Sequence, residues 1–181
     1  MDGKLIFISG GVRSGKSAYA ESLARKALGE RKLYIASGVA RDPEMAERIA
    51  RHREDRASDG WWTLEQSHQF SAVLPLIQAN DVVLWDCVTT WLANELYGNF
   101  GQEQLCADQP GCMDQRWQEL QAAIGAIQRK AACFIIVSNE VLDEPLVAPG
   151  YQQWLGNIHQ WLTHHADTAI EMENGIAIQR K

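Results

Sequence analysis

A short apolar run, Leu5-Ile6-Phe7-Ile8, leads into Gly10-Gly11-Val12-Arg13-Ser14-Gly15-Lys16-Ser17, and a helical pattern, Ser17-Ala18-Tyr19-Ala20-Glu21-Ser22-Leu23-Ala24, leaves it. The octet fits G-x-x-x-x-G-K-[ST], a loop that binds phosphate only where a strand turns into a helix. Glycines let main-chain N–H groups converge on phosphate oxygens, and the helix N-terminus adds partial positive charge. In this pattern Gly10, Gly11, Val12, Arg13, Ser14, Gly15, Lys16 and Ser17 wrap a nucleoside triphosphate; Lys16 neutralises its β/γ-phosphates, and the Ser17 hydroxyl ligates Mg²⁺. Average residue usage would produce the four fixed positions in roughly one chain per hundred of this length. The flanking strand and helix therefore carry as much weight as the motif.

Beyond the loop, apolar runs alternate with helical patterns, the signature of a parallel α/β sheet. Strands are expected over 5–9, 33–36, 82–85, 134–137, 169–172 and 176–179, and helices over 17–28, 43–53, 88–96, 114–131 and 152–165. Asn174-Gly175 favours a type I′ turn, so the last two strands should form an antiparallel hairpin. The stretch 97–113, rich in Gly and Gln, has no period and reads as a surface loop. With 181 residues and no internal repeat, one domain over 1–181 is the economical organisation.

Charge narrows the partners. A net charge of −6 argues against general affinity for nucleic acid or anionic membrane, so phosphate must be held by local groups. No run approaches the ~20 apolar residues of a membrane span, and Met1-Asp2-Gly3-Lys4 enters the first strand directly, so a cytoplasmic protein is expected. Cys87, Cys106, Cys112 and Cys133 have no CxxC spacing, which disfavours zinc. Cys87 and Cys133 read as small core residues; a disulfide between Cys106 and Cys112 is conceivable, with free thiols favoured in a reducing compartment.

Two further elements bear on phosphate chemistry. Asp81-Val82-Val83-Leu84-Trp85-Asp86 is an apolar strand ending in an acid, and such an Asp either holds Mg²⁺ beside the loop or caps the helix that follows; both roles are compatible. Asp42-Pro43 opens a helix on which Met45, Ile49 and His52 fall to one side, placing His52 along an inward stripe. Arg48, Arg51, Arg53 and Arg56 crowd the same helix, a density suited to phosphates, or else a solvated face paired with Glu44, Glu47, Glu54 and Asp55. An imidazole there could attack phosphorus and form a phosphoramidate, or could be a satisfied core histidine; the residues alone leave both open.

The blocks taken together resemble one family. Residues 10–21, Gly-Gly-Val-Arg-Ser-Gly-Lys-Ser-Ala-Tyr-Ala-Glu, are similar to the opening GGARSGKSxxAE of the bifunctional adenosylcobinamide kinase / adenosylcobinamide-phosphate guanylyltransferase family. In family order follow Tyr34-Ile35-Ala36-Ser37, Glu44-Met45-Ala46-Glu47-Arg48-Ile49 with His52 and Arg56, Trp62-Thr63-Leu64-Glu65, Asp86-Cys87-Val88-Thr89-Thr90-Trp91-Leu92-Ala93-Asn94, and Val137-Ser138-Asn139-Glu140-Val141. The resemblance implies an enzyme of cobalamin biosynthesis: ATP or GTP phosphorylates adenosylcobinamide, and GMP from GTP then passes through a guanylyl-histidine to that phosphate, giving adenosylcobinamide-GDP. It implies a P-loop NTPase fold, RecA-like, with a mostly parallel sheet and a C-terminal antiparallel hairpin, assembled as a homotrimer. It also implies His52 and Lys16 as catalytic residues, with Ala36, Ser37, Gly38, Arg53, Arg56, Glu65 and Asp86 joining the loop around the nucleotide, and Ser17 and Asp86 on the metal side. Glu65 reads as a partner of guanine or ribose, or as a surface acid at a strand end. A single-function P-loop kinase and a nucleotide-dependent regulatory NTPase are the alternative readings. After Val141 the chain departs from the family pattern G-x-G-x-V-P, reading Leu142-Asp143-Glu144-Pro145-Leu146-Val147-Ala148-Pro149, and it carries His159 where Asn is usual.

Overall fold

A computed structural model describes residues 2–140 and 149–181. The departure just noted therefore lies largely outside the described residues.

Seven strands form one sheet: β1 (Lys4–Gly10), β2 (Arg31–Ala36), β3 (Trp61–Glu65), β4 (Asp81–Asp86), β5 (Cys133–Asn139), β6 (Thr168–Glu173) and β7 (Ile176–Gln179). The order is β3-β2-β4-β5-β1-β6-β7. All neighbours are parallel except β6 and β7, the expected terminal hairpin. At its tip Asn174 and Gly175 both have positive φ (49° and 81°), as a type I′ turn requires. The crossovers are α1 (Lys16–Lys26), α2 (Pro43–Ser58), α3 (Val88–Tyr97), α4 (Cys112–Lys130) and α5 (Pro149–His165). The five expected helices and six expected strands are all present, with ends shifted by a few residues.

β3 is the addition to the expected strands. It is a five-residue edge strand with one buried residue, Trp61, so it lacks the apolar run that marks the central strands. Those strands alternate between two layers. Leu5, Phe7, Leu33, Ile35, Val83, Trp85, Phe134 and Ile136 pack in the core under α3, α4 and α5. Ile6, Ile8, Tyr34, Val82, Leu84, Ile135 and Val137 pack with Ala20 and Ala24 of α1. Each fully buried aliphatic or aromatic side chain contributes about 1.5–3 kcal/mol, so the sheet is the rigid platform that aims its C-terminal ends.

Helix α2 differs from expectation. Its start is built as the sequence suggests: the Asp42 carboxylate accepts from the Met45 N–H at 2.7 Å, and Pro43 occupies the first turn. Yet none of its residues is buried, and His52 is exposed rather than turned inward. The helix lies on the edge strand β3, which offers too little apolar surface to cover a full stripe.

The cysteines also differ in one respect. Cys87 and Cys133 are buried thiols, whereas Cys106 and Cys112 are joined as a disulfide. The intervening chain folds back through a 3-10 turn (Cys106–Asp108) and brings the two Cα atoms to 5.5 Å, inside the span a disulfide needs.

Candidate functional site

The loop between β1 and α1 is shaped by two glycines. Gly15 has φ +86°, a left-handed conformation that strains other residues, and it is the N-cap of α1. A Cβ on Gly10 would meet the Met172 carbonyl oxygen at 2.7 Å, so β1 and β6 approach closely there only because the side chain is absent. The hairpin tip then supports the loop from the far side, the Gly175 N–H donating to the Ser14 carbonyl at 3.0 Å. Inside the loop the buried Ser14 hydroxyl has no partner among the described residues, an orphaned polar group of the kind a bound phosphate would satisfy. Lys16 is buried as a residue, and its ammonium donates to the Gly11 carbonyl at 3.0 Å, folded back over the loop.

Asp86 reaches the same place from the neighbouring elements. In the sheet, β5 separates β1 from β4, yet the Ser17 hydroxyl donates to Asp86 Oδ2 at 3.2 Å. The phenol of Tyr34, on β2, donates to the same oxygen at 2.6 Å. Burial, reinforced by the Asp86 charge, pushes the Tyr34 phenol far above its usual range, so it stays a donor at any physiological pH. Two oxygens so close together, one of them a carboxylate, would suit Mg²⁺, which combines few protein oxygens with phosphate oxygens and water. Among the described residues no cluster of three or more His, Cys, Asp or Glu could hold a metal by itself.

From Tyr34 the contacts run out to α2. The Arg56 guanidinium lies 3.8 Å from the centroid of the Tyr34 ring, and its Nε donates to Thr63 at 3.5 Å. Arg53 pairs with Glu65 at 3.5 Å, an exposed ion pair that contributes little to stability but sets Glu65 beside the helix. His52 lies one helical turn before Arg56 and therefore shares its side of α2.

The segment after β2 is held from below. Ser37 is fully buried: its hydroxyl accepts from the Trp85 indole at 2.8 Å, its N–H donates to the Asp86 carbonyl at 3.1 Å, and its own carbonyl accepts from Asn94 at 2.9 Å. Its side chain thus braces the strand ends, while Gly38 beside it is exposed. Tyr34 and Asn94, which join these pieces, appear in the sequence only inside family-like blocks. The contacts that single them out join elements far apart in the chain: Tyr34 on β2 meets Asp86 at the end of β4, and Asn94 on α3 meets the Ser37 and Ser67 carbonyls.

His159 occupies a different setting, beside a cavity of about 680 Å³ bordered by Phe7, Ser9, Glu140 and Glu171. Its Nε2 lies 2.7 Å from the Ser138 hydroxyl, and its ring meets the edge of Phe7 at 5.3 Å. Burial lowers its pKa from 6.5 to about 4. Between those values the unfolded chain binds a proton that the folded chain does not, so stability falls as pH drops from about 6.5 towards 4. By pH 4 the loss is about 3 kcal/mol. In urea titrations across that range, His159→Asn should remove this part of the acid slope and leave stability above pH 7 little changed.

The fold and loop together define a P-loop nucleotide-binding protein. Solved structures with the same fold include flagellar accessory protein FlaH from Methanocaldococcus jannaschii, with a TM-score of 0.51 and 15% identity over 99% of this chain and 79% of that one. An ATPase from the type III secretion system of pathogenic bacteria aligns with a TM-score of 0.53 and 13% identity, over 99% of this chain and 57% of that one. Sequence goes further than fold: this chain belongs to the cobinamide kinase / cobinamide phosphate guanyltransferase family, whose model matches residues 6–179. The bifunctional adenosylcobalamin biosynthesis protein CobU of Escherichia coli is 34% identical, over 98% of this chain and 99% of its own length. Its counterpart CobU in Salmonella typhimurium is 32% identical over the same shares. CobP of Pseudomonas aeruginosa is 40% identical over 74% of this chain and 69% of its own. With family membership goes the pair of activities, kinase and guanylyltransferase.

Proposed function

We propose that this chain phosphorylates the hydroxyl of adenosylcobinamide's aminopropanol arm with ATP or GTP, then transfers GMP from GTP to that phosphate through His52. The observation that carries the reading is the unbroken path Ser17–Asp86–Tyr34–Arg56, which ties the P-loop to the helix bearing His52. Gly10, Gly11, Val12, Arg13, Ser14, Gly15, Lys16 and Ser17 hold the phosphates. Ala36 and Gly38, on the segment braced by Ser37, line the nucleotide together with Arg53, Arg56 and Glu65. Ser17 and Asp86 hold Mg²⁺, which, when bound, offsets the negative charge on the transferring phosphoryl group.

In the second reaction a neutral His52 nitrogen attacks the α-phosphorus of GTP. An N–P bond forms, the Pα–O bond to the β-phosphate breaks, and pyrophosphate leaves; the imidazole loses its N–H proton to solvent. An oxygen of adenosylcobinamide phosphate then attacks the same phosphorus and breaks the N–P bond; the departing imidazole takes a proton back from solvent, and adenosylcobinamide-GDP is released. An exposed histidine suits this step, since it must meet nucleotide and a bulky acceptor in turn. The chain acts as a single domain over 1–181, assembles as a homotrimer and works in the cytoplasm; among the described residues no helix is long and apolar enough to cross a membrane. Its net charge of −6 fits small anionic substrates held by local groups rather than nucleic acid.

The test is incubation with GTP labelled at the α-phosphate and Mg²⁺, followed by denaturation. Retained label, labile to acid, stable to base and released into adenosylcobinamide-GDP when the phosphorylated acceptor is added, is the expected result. Kinase activity with no retained label would leave a single-function kinase.

A further inference from the structure

We infer that Tyr34 is a positioning residue that serves both halves of the reaction at once: its hydroxyl fixes the Asp86 carboxylate beside Ser17, and its ring seats Arg56 and with it the helix that carries His52. The inference rests on the reading of Asp86 as the metal-side acid and of His52 as the nucleophile. Tyr34 sits on the α1 face of the sheet among apolar side chains, 6% exposed, where a leucine would pack without leaving a hydroxyl to satisfy. The hydroxyl has one described partner, Asp86 Oδ2 at 2.6 Å. That oxygen also accepts from Ser17 at 3.2 Å, so both donors converge on one side of the carboxylate and no described group donates to Oδ1. A carboxylate held in this way keeps one oxygen fixed and the other free for an incoming cation or its water.

The ring has a separate use. Trp61 of β3 meets it edge-on, with centroids 6.1 Å apart and planes at 75°, which sets the ring's orientation. Arg56 lies over its face at 3.8 Å, so its guanidinium is placed without a carboxylate partner among the described residues and keeps N–H donors for phosphate. Arg56 and His52 are one turn apart. A shift of the phenol would therefore displace the metal-side acid and the nucleophile's helix together, although the two lie on different elements.

Two variants separate the hydroxyl from the ring. Tyr34→Phe retains the ring, and binding of Mn²⁺ to the complex with a non-hydrolysable GTP analogue, followed by electron paramagnetic resonance, should weaken about tenfold. Its melting temperature should stay near that of the parent, and saturating metal should recover most of whatever rate of His52 guanylylation it has lost. Tyr34→Leu should lose the same metal affinity and, in addition, guanylylate His52 about tenfold more slowly even at saturating metal, because Arg56 has lost its seat. Asp86→Asn is measured alongside. If Asp86→Asn weakens Mn²⁺ binding and Tyr34→Phe does not, the inference about Tyr34 is overturned while the metal-side reading stands. If Asp86→Asn leaves Mn²⁺ affinity unchanged, the underlying reading of Asp86 fails and the inference with it.

Discussion

Lys16→Ala should lower both activities about a thousandfold while the protein still folds. Lys16 opens α1, where alanine is an excellent helix former, and its one described hydrogen bond is to the Gly11 carbonyl within the same loop. The residue is buried in the loop and its ammonium turns back over it, where a bound phosphate would meet it. On the proposed reading its charge would offset the build-up on the γ-phosphoryl oxygens in the kinase step and would stabilise the departing pyrophosphate, seated in the same loop, in the guanylyl step. Steady-state turnover for each reaction, with circular dichroism to confirm the fold, decides the matter. Loss of the kinase alone would show that GTP for guanylylation is held elsewhere. Lys16→Arg should not restore the rate, because a planar guanidinium cannot take the place of a compact ammonium in a loop this tight.

Much of the architecture could be read in the sequence because it is local. The strand, glycine loop and helix of residues 4–26 are contiguous, and the Asn174-Gly175 turn needs only its own two residues to define the hairpin. The central strands announce themselves as apolar runs because both faces are covered, one by α1 and the other by α3, α4 and α5. Edge elements were harder to read. β3 carries a half-exposed pattern, and α2, resting on it, keeps a helical period in Met45, Ile49 and His52 without a surface large enough to bury it. Periodicity reports which residues share a side; it does not report whether anything lies opposite. The site shows the same divide. The loop and Asp86 each carry a sequence signal, but Tyr34 acquires its part only when β2 is placed beside β4, aligning Tyr34 with Leu84 and Ala36 with Asp86. Ser37 shows another side of this: the family-like block implies a place beside the nucleotide, and the structure adds a bracing role that the sequence does not signal, its hydroxyl accepting from the Trp85 indole.

The sharpest expectation concerns His52. His52→Ala should abolish the acid-labile guanylyl adduct and lower guanylyl transfer by about 10⁴-fold or more, since no other group would then form the covalent intermediate. Kinase turnover should remain within a factor of about three, because an exposed side chain on a helix without buried residues can be truncated at little structural cost. That asymmetry distinguishes a nucleophile from a phosphate-binding residue. A histidine that merely neutralised phosphate would, when removed, raise the KM for GTP and leave some adduct on another residue or none in either protein. Arg56 provides the internal contrast. It shares its side of α2 with His52 but is engaged with Tyr34 and Thr63, so Arg56→Ala should slow guanylylation without abolishing the adduct. Labelling His52→Ala, Arg56→Ala and the parent side by side with α-labelled GTP therefore reads out which group carries the covalent bond and which only places it.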